Sequence, residues 1–92
     1  MEIEFDPAKD RRNRKKHGLS LGFAAELDWD AMLMEADGSQ HYGEERWFGI
    51  APNEDKLYAV AFTVLEDEIM RIINVRRATN SEVRRYETQG RK

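Results

Sequence analysis

Leu57-Tyr58-Ala59-Val60-Ala61-Phe62-Thr63-Val64, followed after Glu66-Asp67-Glu68 by Ile69-Met70-Arg71-Ile72-Ile73-Asn74-Val75-Arg76-Arg77, reads as two β-strands joined by a short acidic turn. Successive side chains of a strand point to opposite faces. Tyr58, Val60, Phe62 and Val64 therefore share one face, and Leu57, Ala59, Ala61 and Thr63 the other. In the second run the same rule pairs Met70, Ile72, Asn74 and Arg76 against Arg71, Ile73, Val75 and Arg77. Upstream, residues 46–51 read as another strand, with Arg46, Phe48 and Ile50 on one face, closed by the turn Pro52-Asn53-Glu54-Asp55. Links this short favour an antiparallel meander.

Outside these strands the signals are helical. Residues 3–5 are a brief strand or an extended lead-in. Asp6-Pro7 starts a helix: the carboxylate caps free N–H groups and proline fits the first position. That helix runs to His17 and stops at Gly18, with Arg14, Lys15, Lys16 and His17 at the end its dipole favours. It has almost no apolar residues, so it packs through Ala8 and aliphatic stems or lies at the surface. Ser20 caps a second helix, in which Leu21, Ala24, Ala25 and Asp28 follow a helical period. Residues 31–35 form a further strand and 36–43 a loop. Thr79 or Asn80 caps a C-terminal helix reaching Glu87, and residues 88–92 read as a frayed tail. The fold class is α+β, with two N-terminal helices on an antiparallel sheet of three to four strands and a C-terminal helix.

Ninety-two residues make one domain, residues 1–92. There is no cysteine, which removes disulfides and thiolate zinc sites and fits a cytoplasmic protein. The N-terminus has neither the basic nor the apolar region of a secretory signal, and no apolar run approaches a membrane span. The net charge is −3, but residues 1–20 carry +2, residues 21–68 carry −10 and residues 69–92 carry +5. Two differently charged faces follow, one suited to phosphates and one to a basic partner.

Arg71 interrupts an apolar strand, so it lies on an open sheet face or in an ion pair. Arg76 and Arg77 stand at that strand's end, where guanidinium groups either grip phosphate oxygens or pair with the acidic middle segment. Lys16-His17 offers a proton-transfer group beside a cation, or simply a cationic helix end. Arg46 enters its strand next to aromatic residues. Trp47 stacks on a base or fills the core, and Tyr86 has the same two readings. His41-Tyr42 reads as surface. No histidine–carboxylate spacing marks a metal site, and no P-loop, dinucleotide fingerprint or serine or cysteine nucleophile motif is present.

Three blocks together resemble one family. Asn13, Lys16-His17-Gly18-Leu19-Ser20 and Ala24 are similar to the opening motif of the BrnT toxins. Gly43-Glu44 with Arg46 and Ile50 is similar to their central strand. Arg71-Ile72-Ile73-Asn74-Val75-Arg76-Arg77-Ala78-Thr79, with Glu82 and Tyr86, is similar to their last strand and helix. The blocks occur in order over residues 3–87. The resemblance implies a RelE-like fold and a ribonuclease toxin of a type II toxin–antitoxin module, with no cofactor or metal. It implies an RNA substrate and a BrnA-like antitoxin that alone contacts DNA, in a homodimer or a toxin–antitoxin heterotetramer. On that basis Lys16, His17, Arg46, Arg71 and Arg76 are the candidate catalytic residues, and Arg77, Tyr86 and Trp47 the candidate RNA-binding ones. Two other readings compete: a non-catalytic binding module whose basic end docks a partner, and a metal-dependent hydrolase.

Overall fold

Alternation at Tyr58, Val60 and Phe62 places the most apolar strand in the middle of a five-stranded sheet. The computed structural model describes residues 1–41 and 43–90, so the reading of the pair His41-Tyr42 lies outside it, as do Arg91 and Lys92. The strands are β1 (Glu2–Glu4), β2 (Leu33–His41), β3 (Glu44–Asn53), β4 (Lys56–Val64) and β5 (Ile69–Arg77), in the order β1-β5-β4-β3-β2. β2 to β5 form the antiparallel meander that their short links require. Two features correct the expectation of three to four antiparallel strands. β1 adds to β5 in parallel, making the sheet mixed. Residues 36–41, expected as loop, continue β2 past an irregularity between Ala36 and Gln40. β2 is an edge strand exposed over residues 34–38, so its sequence carries no alternating burial signal.

One sheet face carries the core. Tyr58, Val60 and Phe62 of β4 and Ile72 and Val75 of β5 pack against Leu21, Ala24 and Leu27. Trp29 meets Phe62 edge-on with ring centres 5.0 Å apart, and Phe23 meets Tyr58 at 4.8 Å. The expected second helix is instead two 3₁₀ segments, Leu21–Glu26 and Trp29–Ala31. A 3₁₀ turn eclipses residues three apart, and Leu21 and Ala24, both fully buried, form that single contact stripe. Ser20 makes no side-chain cap. The carboxylate of Asp10 does so from another element, accepting from Leu21 N at 2.7 Å.

α1 (Pro7–His17) begins and ends as its sequence specifies: Asp6 accepts from Ala8 N at 2.8 Å, and Gly18 sits at φ 74°. Its packing corrects the expectation of aliphatic stems, because its buried residues are Asp10 and Asn13. α2 (Asn80–Arg85) starts with a complete capping box between Thr79 and Glu82. Its Arg85 reaches the other sheet face, where the guanidinium lies 5.7 Å from the Phe48 ring centre. Helical winding continues as a π-type turn through Tyr86–Gly90. Within it Tyr86 OH donates to Ala31 O at 2.7 Å, and Thr88 OH donates to Arg84 O at 3.1 Å. Among the described residues no helix is long and apolar enough to cross a membrane.

Candidate functional site

The decisive local feature is a bulge in β5. Ala61 pairs with Asn74, whereas the next residue, Phe62, pairs with Ile72, so Ile73 is an extra residue on β5. An extra residue reverses the alternation beyond it. Simple period two put Arg71 and Arg76 on opposite faces; the bulge corrects this. Arg71 pairs with Thr63, Asn74 with Ala61 and Arg76 with Ala59, and those three residues of β4 share a face. Met70, Ile72, Val75 and Arg77 take the core side. Arg46 pairs with Thr63 from the other flank. Arg46, Arg71 and Arg76 therefore share one face, with Arg46 and Arg71 two strand spacings apart, roughly 10 Å.

The outer edge of β5 is covered by the three-residue β1 only over residues 69–71. Asn13 of α1 takes that edge. Its amide nitrogen donates to Val75 O and Leu19 O, both at 2.8 Å, and its oxygen accepts from Val75 N at 3.2 Å and Asn74 Nδ2 at 3.1 Å. The side chain thus acts as one link of a missing strand. It seats α1 beside β5 and leaves two adjoining hollows between them. One, of about 280 Å³, is lined by Lys9, Arg12, Asn13, Lys16, His17, Ile73 and Asn74. The other, of about 210 Å³, shares Lys9 and Ile73 and includes Glu4 and Arg71. Together they make a groove with Lys9, Arg12 and Lys16 on the α1 side and Arg71 on the β5 side, where Glu4 and Asp6 also line it.

His17 lines this groove half-buried. Burial first, then the positive charges of Lys16 and Arg76, lower its pKa below the ordinary histidine value. The shift favours the neutral imidazole, the form that accepts a proton. Replacing Lys16 with glutamine removes one of these causes, so the His17 titration followed by NMR moves upward in that variant.

Each arginine of the face has a carboxylate partner. Arg46 Nε lies 3.0 Å from Asp37, outside hydrogen-bonding geometry. Arg71 lies 3.5 Å from Glu44 and 3.8 Å from Glu4. Arg76 binds Glu82 through two bonds of 2.8 and 2.9 Å. These bonds, with those Glu82 accepts in the capping box, hold its carboxyl at about 2. A carboxyl depressed in the folded state stabilises above its unfolded pKa and loses that contribution as pH falls toward the folded one. The stability advantage of the wild type over Glu82→Gln is thus constant above about pH 4.5 and shrinks between there and pH 2, as acid-unfolding curves of the two proteins will show.

Lys16, His17, Arg71 and Arg76 come together around α1 and β5, with Arg46 across Thr63. The other three candidates stand apart. Arg77 faces the core side, its guanidinium 5.6 Å from the Tyr58 ring centre. Trp47 packs against the core, and Tyr86 is 9% exposed with its hydroxyl bound to Ala31 O, away from the α1–β5 groove. Sequence reasoning missed Lys9 and Arg12. Their signal was present, since residues 9, 12 and 16 fall on one stripe of a helix.

The comparisons agree with this architecture. A family model described as the ribonuclease toxin BrnT of type II toxin–antitoxin systems matches residues 5–82. The crystal structure of the Brucella abortus ribonuclease toxin BrnT superposes with a TM-score of 0.62 at 26% identity, covering 87% of this chain and 99% of that one. No curated protein matches the sequence. With its helix, bulged arginine strand and capped C-terminal helix all inside or bordering the matched span, the chain belongs to the BrnT family of type II toxin–antitoxin ribonuclease toxins.

Proposed function

We propose that this protein is an endoribonuclease that cuts RNA with its own side chains, without a metal, and is neutralised by a BrnA-like antitoxin. The observation that carries the reading is the groove between α1 and β5, where Lys9, Arg12, Lys16 and Arg71 line the walls together with His17. Phosphates of a single strand lie against Lys9, Arg12 and Arg71. His17 takes the proton of a ribose 2′-OH, whose oxygen attacks the neighbouring phosphorus. The bond from phosphorus to the 5′-oxygen breaks, and Lys16 returns a proton to that oxygen. Arg71 and Arg76, with Arg46 across the face, stabilise the charge that accumulates on the phosphoryl oxygens. Products are a 2′,3′-cyclic phosphate and a 5′-hydroxyl.

The test is cleavage of a labelled RNA with and without a chelator, by wild type and His17→Ala. Wild type yields cyclic-phosphate ends in both conditions and the variant yields few. Cleavage abolished by chelator would sink the metal-free route. A second reading, a binding module without catalysis, draws on the pairing of Arg46, Arg71 and Arg76 with carboxylates. Tight RNA binding with no cut ends would select it. Under either reading Lys9→Ala/Arg12→Ala reduces the slope of log affinity against log salt by about 0.7 for each phosphate that the variant no longer neutralises.

A further inference from the structure

Glu82 does more than the start of α2 requires. A capping box accepts glutamate or glutamine at this position, because one side-chain oxygen is enough for Thr79 N. Yet both oxygens of Glu82 also accept from Arg76, at 2.8 and 2.9 Å, and its side chain is only 13% exposed. Neither of the other arginines on this face is held so. Arg71 stands 3.5 Å from Glu44, and Arg46 Nε makes no hydrogen bond. A guanidinium carries five N–H groups in one plane. Glu82 takes one from Nη1 and one from Nη2, and Arg77 O accepts from Nη1 at 3.2 Å. The Nε–H and the second N–H of Nη2 remain, pointing the same way along the opposite side of the plane. Among the described residues neither has an acceptor. That pair is itself a fork, spaced for two oxygens of one phosphoryl group. The Arg76 side chain is 30% exposed, and its charge reaches His17 in the groove.

We infer that Glu82 is a positioning residue for RNA cleavage: it clamps Arg76 so that this second fork, and no other edge of the guanidinium, meets a phosphoryl group of bound RNA. The inference rests on the ribonuclease reading and adds to it a residue that does not itself touch RNA. Glutamine at this position keeps an oxygen for the cap. Its amide N–H groups, however, face the N–H groups of Arg76 on one branch of the clamp, so the guanidinium is released to turn. The start of α2 and the orientation of Arg76 are thereby separable by substitution, although one carboxylate serves both.

RNA cleavage and thermal melting are measured at pH 7 for Glu82→Gln, Thr79→Ala, Arg76→Ala and Arg76→Ala/Glu82→Gln. Thr79→Ala removes the hydroxyl of the cap and leaves the clamp, so it melts earlier and cuts at the wild-type rate. Glu82→Gln lowers kcat by about tenfold or more, with KM within about twofold of wild type. The double variant cuts no more slowly than Arg76→Ala alone, because both changes remove one function. Losses that multiply in the double variant, or an equal fall in rate for Thr79→Ala, would reduce Glu82 to a helix cap and overturn the inference. A second measurement needs no cleavage. A 2′-O-methyl RNA strand, which has no 2′-OH to attack, is titrated onto the whole protein while the Arg76 Nε–H is followed by NMR. That signal moves in wild type and moves less in Glu82→Gln. An unmoved Nε–H in a protein that does cut RNA overturns the inference and spares the ribonuclease reading. A moved Nε–H in a protein that cuts nothing upholds the clamp and overturns the ribonuclease reading instead.

Discussion

Replacing Asn13 with leucine lowers the melting temperature by about 12–24 °C, the drop that follows from losing roughly 3 kcal/mol in a domain of this size. Asn13 is 5% exposed and makes four hydrogen bonds, two through each end of its amide. Leucine fills similar space but leaves Val75 N, Val75 O and Leu19 O without the partner that Asn13 supplies, two of them in buried bonds. A buried backbone group left unpaired costs ~1–3 kcal/mol, far more than a net hydrogen bond contributes. Asn13→Asp separates the ends of the amide. It keeps an acceptor for Val75 N and sets a carboxylate against two carbonyl oxygens, so it is also strongly destabilised. Circular dichroism melts of both variants measure this. A change below about 4 °C for either would show that α1 is held some other way.

Arg71→Ala is expected to slow RNA cleavage by ~10²–10³-fold, the usual cost of removing one group that meets transition-state charge. Its melting temperature stays close to wild type. The ion pairs to Glu44 and Glu4 are long and partly exposed, and such pairs contribute ~0–1 kcal/mol. That separation of effects makes Arg71 a sharper probe than Arg76, whose loss also strands Glu82 and disturbs the start of α2. Cleavage is scored by cyclic-phosphate ends and stability by thermal melt, on the same preparations. A fall in rate under about fivefold, with the fold intact, would remove Arg71 from the reacting centre and leave it a surface cation.

What the sequence made legible was what depends on neighbours along the chain. The Asp6-Pro7 start and Gly18 stop of α1, a cap at Thr79 or Asn80 that falls on Thr79, and the alternation of β4 are local patterns, and each is realised. The second helix was misread because Leu21 and Ala24, three residues apart, satisfy an α-helical and a 3₁₀ period alike over so few residues. β2 was cut short because an exposed edge strand has no buried face to leave a pattern. The bulge at Ile73 left a fainter trace, a polar Asn74 inside an apolar run, and it decides whether Arg71 and Arg76 act together. The arginines stand out in the sequence as charges within apolar strands, but their common face depends on one unpaired position opposite a partner strand. Trp47 and Tyr86 illustrate the reverse case: their chemistry allowed base stacking, and burial at Tyr86 and core packing at Trp47 favour structural roles.

α1 meets the sheet through polar atoms, and this has a geometric consequence. Apolar surfaces tolerate sliding, because one methyl group replaces another at little cost. The Asn13 amide and the Asp10 carboxylate are directional and each fits a single setting. They work as indexing pins. A slip of α1 by one residue would rotate it by about 100° and carry the stripe of Lys9, Arg12 and Lys16 out of the groove. The helix that presents the cations is therefore fixed in rotation as well as in position by two side chains that carry no positive charge themselves.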